Sequence, residues 1–228
     1  MFNKSDIRNY FNTPGNIPDN TSNKSVININ SNSKKSKICA TATEYLVFTD
    51  GSSFNNGSKT QKHYGGIGVF FGDNEENISE SLEGKITNNI AELKACKRAI
   101  ETIIQKTDFD KNTNTIYNKK IVIYTDSEYV LNCMTKWCKT WCNNNWAKYN
   151  FRSKKQDPVK NKELLESLYK LYKMYNIKMK HIRAHQTEPN NKSSLEYILW
   201  YGNKMADLLA KKGGMESKPK TKTNPHTF

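Results

Sequence analysis

No apolar run in this sequence approaches the ~20 residues that a helix needs to cross a bilayer. The N-terminus lacks an apolar stretch of the kind a secretory signal carries, so secretion is not expected. Cysteine is sparse and odd in number: Cys39, Cys96, Cys133, Cys138 and Cys142. None forms a CxxC pair, which argues against a zinc site. Cys138 and Cys142 would share a helix face, but no histidine lies near them in sequence. Reduced thiols in a cytosolic or nuclear compartment are therefore expected. No long internal repeat is visible. Acidic residues are also scarce: 22 Asp and Glu stand against 36 Lys and Arg, a net charge of +14 over 228 residues. So basic a chain suits a polyanionic partner, and nucleic acid is the commonest. The plainer reading is compositional, since Lys, Asn and Ile are all abundant.

Residues 1–41 are rich in Asn, Ser and Lys and poor in large apolar residues. Such a segment cannot bury a core, and a disordered tail is expected. One island interrupts it, Asp6-Ile7-Arg8-Asn9-Tyr10-Phe11. Residues 214–228 read as a second, basic tail. Between them lies one folded unit, 42–213. Strands are expected at Glu44–Thr49, Gly65–Phe71, Ile78–Glu83, Lys120–Thr125 and Ile177–Ala184. Thr87–Ile104 places Ile90, Leu93, Cys96, Ile100 and Ile104 at helical spacing, with Thr87 or Asn88 as N-cap. Further helices are expected at Ser127–Thr140, Glu163–Tyr175 and Gly202–Lys212. Asn112–Asn118 reads as a polar loop. The order β-β-β-α-β-α-insert-α-β-α suggests an α/β domain with a mixed sheet.

Four carboxylates stand in short, distinctive settings. Asp50 lies in Thr49-Asp50-Gly51-Ser52 and Asp126 in Tyr124-Thr125-Asp126-Ser127, each after a buried strand. Glu92 lies in Asn89-Ile90-Ala91-Glu92-Leu93 and Asp207 in Gly202-Asn203-Lys204-Met205-Ala206-Asp207, both helical. If the two strands are parallel neighbours, Asp50 and Asp126 converge at one sheet edge. Converging carboxylates repel each other and normally need cations. The set suggests a two-metal phosphodiesterase site.

These motifs, with the late His185, resemble the type 1 ribonuclease H catalytic domain across Ala42–Gly213. The resemblance implies an RNase H-like fold, with a five-stranded mixed sheet, helices on both faces and a basic helical handle. It implies hydrolysis of the RNA strand of RNA/DNA hybrids with two Mg²⁺ ions, Mn²⁺ substituting, leaving 5′-phosphate and 3′-hydroxyl ends. Asp50, Glu92, Asp126 and Asp207 would hold the metals, and His185 would assist proton transfer or product release. The stretch from His185 to Asn203 departs from the family's short Gly-bearing loop, and Leu195–Trp200 within it suits an extension of the last helix.

Ser53, Asn56, Asn88 and Asn89 match positions that contact the RNA strand, although Asn55-Asn56-Gly57 is also an ordinary turn sequence. Lys85, Thr87 and Asn161 match a pocket for the DNA phosphate, with Lys85 where Arg is common. Tyr129 and Trp141 match the aromatic pair on deoxyribose, and Trp137 reads as core. Met134–Lys160 resembles the handle: Lys136, Lys139, Lys148, Arg152, Lys154, Lys155 and Lys160 stand against a single acid, Asp157. Ile7, Tyr10 and Phe11 reproduce the apolar half of a sliding-clamp-binding peptide, with Lys4 where Gln is usual. A role in replication or repair and a monomeric state follow as expectations. A DNA nuclease or integrase on the same fold, or an inactive nucleic-acid-binding protein, are the alternatives. The first fits the acid order poorly, and the second would require the loss of a carboxylate.

Overall fold

The computed structural model describes residues 44–55, 57–58 and 63–216. Ile7, Tyr10, Phe11 and Asn56 lie outside these residues. Strand β1 (Glu44–Phe54) is central, with Tyr45–Phe48 buried throughout. It pairs antiparallel with β2 (Tyr64–Phe70), which pairs antiparallel with β3 (Ile78–Leu82). After helix α1 (Asn88–Ile103) come two-residue strands β4 (Phe109–Asp110) and β5 (Thr115–Ile116), then β6 (Lys119–Thr125). Strand β6 runs parallel to β1 and to β9 (Lys178–His181).

The expected five strands thus form the frame β3-β2-β1-β6-β9, and β4 and β5 bring the sheet to seven. The two short strands come from the segment read as a loop. Left-handed Asn114, Tyr117 and Asn118 fold it back so that Thr115 pairs with Lys120. Too few residues are involved for any alternation to show in sequence.

Alternation in the central strands builds two cores. Tyr45, Val47, Ile121 and Ile123 face α1 and helix α4 (Lys162–Met174). Leu46, Phe48, Val122 and Tyr124 face helix α5 (Leu195–Glu216). Thr87 caps α1, its Oγ1 accepting from Ile90 N at 3.4 Å. Helix α5 begins at Leu195, where Ser194 Oγ accepts from Tyr197 N at 3.1 Å. It continues past the expected boundary at residue 213 to Glu216. Its close fit depends on Gly68 of β2, where a Cβ would lie 2.1 Å from Ala206 O.

The handle differs from the helical form expected. Its helix divides into α2 (Glu128–Asn132), a π-helical turn (Cys133–Trp137) and α3 (Cys138–Asn143). Left-handed Asn145 and Trp146 then end the helix, with Trp146 N donating to Trp141 O at 2.7 Å. The basic half is a hairpin, β7 (Ala147–Asn150) and β8 (Lys155–Pro158). Asn150 Oδ1 accepts from Arg152 N and Ser153 N to shape its turn. Trp137, read as core from the sequence, is exposed, and Trp146 is core instead.

Candidate active site

Parallel pairing of Thr49 with Thr125 brings the next residues, Asp50 and Asp126, side by side. Asp50 itself lies within β1, opposite Gly68 of β2, because the strand continues to Phe54. Glu92 arrives from α1. The helix can approach because position 51 is glycine: a Cβ there would sit 2.3 Å from Glu92 N. One carboxylate oxygen each from Asp50, Glu92 and Asp126 lie within 4.8 Å of one another. Asp207 comes from α5, close enough for its charge to act on Asp50, and Lys211 Nζ donates to its Oδ2 at 2.7 Å.

This cluster is electrostatically unfavourable by itself. Burial, then the charges of Asp126 and Asp207, pushes Asp50 up to about 7. Burial, then Asp50 and Asp126, pushes Glu92 up to about 10. Glu92 Oε2 is buried with no hydrogen-bond partner among the described residues. An all-oxygen donor set that is short of positive charge and holds an orphaned acceptor fits a hard divalent cation.

Beside the cluster, Asp126, His185, Asn203 and Asp207 line a cleft of about 230 Å³, with Arg183, Gln186, Trp200 and Lys204. His185 is exposed and left-handed, with φ 51°. Asn203 and Trp200 had no role assigned from the sequence. Asn203 is buried and its Nδ2 donates to Asp126 Oδ2 at 3.4 Å. Its place four residues before Asp207 on one helix was the available signal. Trp200 Nε1 donates to Gln186 O at 2.9 Å.

A second concavity, a groove of about 980 Å³, gathers residues far apart in sequence. Lys85, Thr87, Asn161, Tyr129 and Trp141, all expected at the DNA strand, line it together. Asn88, Asn89, Lys148 and Lys160 join them. Trp137 does too, its ring centroid 6.1 Å from Tyr129 and 5.7 Å from Trp141. Its spacing of four from Trp141 was the missed clue. Asn161 is left-handed at the start of α4, and its side chain meets the Tyr129 hydroxyl. Ser53 Oγ donates to Asn88 Oδ1, so two of the expected RNA-strand residues touch. Arg152, Lys154 and Lys155 are exposed at the hairpin tip and do not line the groove.

The family profile described as RNase H matches residues 42–215, which hold all four carboxylates. Ribonuclease H of Schizosaccharomyces pombe is 33% identical over 192 residues, covering 83% of this chain and 60% of that protein. Ribonuclease H of Clostridium botulinum is 30% identical over 149 residues, covering 64% of this chain and 88% of that protein. The solved structure of LC9-RNase H1, a type 1 RNase H with the type 2 active-site motif, shares the fold at a TM-score of 0.55 and 19% identity, over 77% of this chain and 74% of that one. On the match across these residues, the chain belongs to the RNase H family.

Proposed function

We propose that this chain is an endoribonuclease that cuts the RNA strand of RNA/DNA hybrids, leaving 5′-phosphate and 3′-hydroxyl ends. The observation that carries the reading is the cluster of three carboxylate oxygens within 4.8 Å, set beside a basic, aromatic-lined groove. Asp50, Glu92, Asp126 and Asp207 would hold two Mg²⁺ ions, with Mn²⁺ able to replace them. When bound, such ions activate water and neutralise charge on the scissile phosphate.

The chain's own residues do the rest. Helix α1 ties site to groove: Thr87 and Glu92 lie about 7.5 Å apart along its axis, at 1.5 Å per residue. Asn88 and Asn89, between them, offer donor and acceptor to a ribose 2′-hydroxyl. Tyr129, Trp137 and Trp141 present ring faces to deoxyribose and bases, and Lys85, Lys148 and Lys160 face phosphates. His185, which lines the cleft with Asp126 and Asp207, would exchange a proton on its ring nitrogen as product leaves.

The reading extends to removal of primer RNA or stray hybrids in replication and repair, by a monomer in a reducing intracellular compartment. Ile7, Tyr10 and Phe11 would dock a sliding clamp. Calorimetry of a Met1–Ile17 peptide against the clamp, beside a Tyr10→Ala, Phe11→Ala control, tests that part. Heat is expected from the first peptide only, and equal traces would overturn it.

The test of the activity is a labelled RNA/DNA hybrid with Mg²⁺, beside single-stranded RNA, duplex RNA and duplex DNA. Only the hybrid should be cut. Comparable cleavage of duplex DNA, or no cleavage of the hybrid, would overturn the reading.

A further inference from the structure

The segment after β9 is long and left-handed at His185; Ile182 N ties its start to Thr125 O at 3.0 Å, and α5 holds it farther along. Trp200, in the second turn of α5, donates from Nε1 to the carbonyl of Gln186 at 2.9 Å. Gln186 is the residue next to His185. A non-glycine residue in the left-handed region stays there only when its surroundings hold it. The indole–carbonyl bond is such a hold. The Trp200 ring is itself fixed: it packs on Tyr197 at 5.5 Å between centroids, and Lys204 Nζ lies 4.6 Å from the ring centroid. Helix α5 also carries Asn203 and Asp207, so one rigid rod positions the carboxylate, the amide on Asp126 and the anchor of the histidine loop. Trp200, His185, Asp126 and Asp207 line the same cleft.

We infer that Trp200 is a positioning residue, which latches the His185 loop to α5 and so holds the imidazole over the carboxylates. The inference rests on the proposed hydrolysis of hybrid RNA. The indole N–H does the work. The ring face has a separate task, keeping Lys204 beside the cleft.

The chemistry separates the two. Trp200→Phe keeps an aromatic ring for Tyr197 and Lys204 but loses the donor. Its kcat on the hybrid should fall about threefold, as for one lost hydrogen bond at an exposed site, with KM within about twofold. Hydrogen exchange, read without substrate or metal, should speed up across residues 183–191 and stay unchanged in β1 and β6. In a His185→Ala background the same substitution should cost nothing further, because the two act through one group. Wild-type kcat in Trp200→Phe would overturn the inference. So would a full further loss in the His185→Ala background, or unchanged exchange in the loop. Each is distinguishable from failure of the hydrolase reading, in which the wild-type chain itself leaves the hybrid intact.

Discussion

Asp50 is 8% exposed and sits in the central strand, whereas Trp137 is 39% exposed and sits in a π-helical turn. The first belongs to a cluster that burial and like charge make unstable without cations. The second belongs to an open, basic groove with no such conflict. Strain is concentrated where bonds would be broken, and exposure where a long polyanion would be gripped. Mutations at the two places should therefore differ in kind: loss of turnover at one, loss of affinity at the other.

The largest expected effect is at the cluster. Asp126→Asn should lower kcat by about 10³ or more while moving KM little, since a metal ligand supplies several kcal/mol at the transition state. Steady-state kinetics with Mg²⁺ checks this, and a KM change as large as the kcat change would blur the distinction. The reverse is expected at the groove. Trp137→Ala with Trp141→Ala should raise KM about tenfold or more, at 1–3 kcal/mol per stacked ring, and leave kcat close to wild type.

Stability gives a third, smaller contrast. In unfolded chain both Asp50 and Glu92 titrate near 4. In the metal-free fold Asp50 rises to about 7 and Glu92 to about 10. The folded state thus keeps protons the unfolded state has released. The contribution is full below about pH 4 and is lost as pH climbs through about 7 for Asp50, and on toward 10 for Glu92. In EDTA, Tm should fall between pH 5 and pH 8. Asp50→Asn should recover up to about 4 kcal/mol at pH 8 and less than half of that at pH 5. Calorimetry at the two pH values reads the difference. A groove substitution such as Trp141→Ala should show no such pH dependence.

How much of this was legible follows the same division. Asp50 and Asp126 could be placed from sequence because each follows a run of buried residues, and parallel pairing leaves little freedom in where they end. Gly51 lets Glu92 approach, and no pattern in the sequence pointed to that contact. The groove was harder. Its residues come from the start of α1 and the loop before it, α2, the π-helical turn, α3, β7 and the approach to α4, and apolar spacing could not separate Trp137 from Trp146. That choice hangs on two left-handed residues, Asn145 and Trp146, whose conformation no periodicity reveals. The hairpin was missed for a related reason, because its turn is made by Asn150 side-chain bonds rather than by glycine.

The smallest expected effect lies at the hairpin. Changing Lys148, Arg152, Lys154 and Lys155 to Ala should flatten the salt dependence of hybrid binding by about 0.7–0.9 for each phosphate no longer neutralised. Lys148 alone should account for a measurable part, since it lines the groove and the other three do not. An unchanged slope would leave the hairpin as a solvated surface.

The division of labour itself is tested most directly by fluorescence anisotropy of a labelled RNA/DNA hybrid. Asp126→Asn should bind it with an affinity close to the wild type's while failing to cut it. The Trp137→Ala, Trp141→Ala variant should bind about tenfold or more weakly yet turn over at saturating substrate. Loss of binding by Asp126→Asn in proportion to its loss of activity, with the groove variant binding normally, would contradict the account.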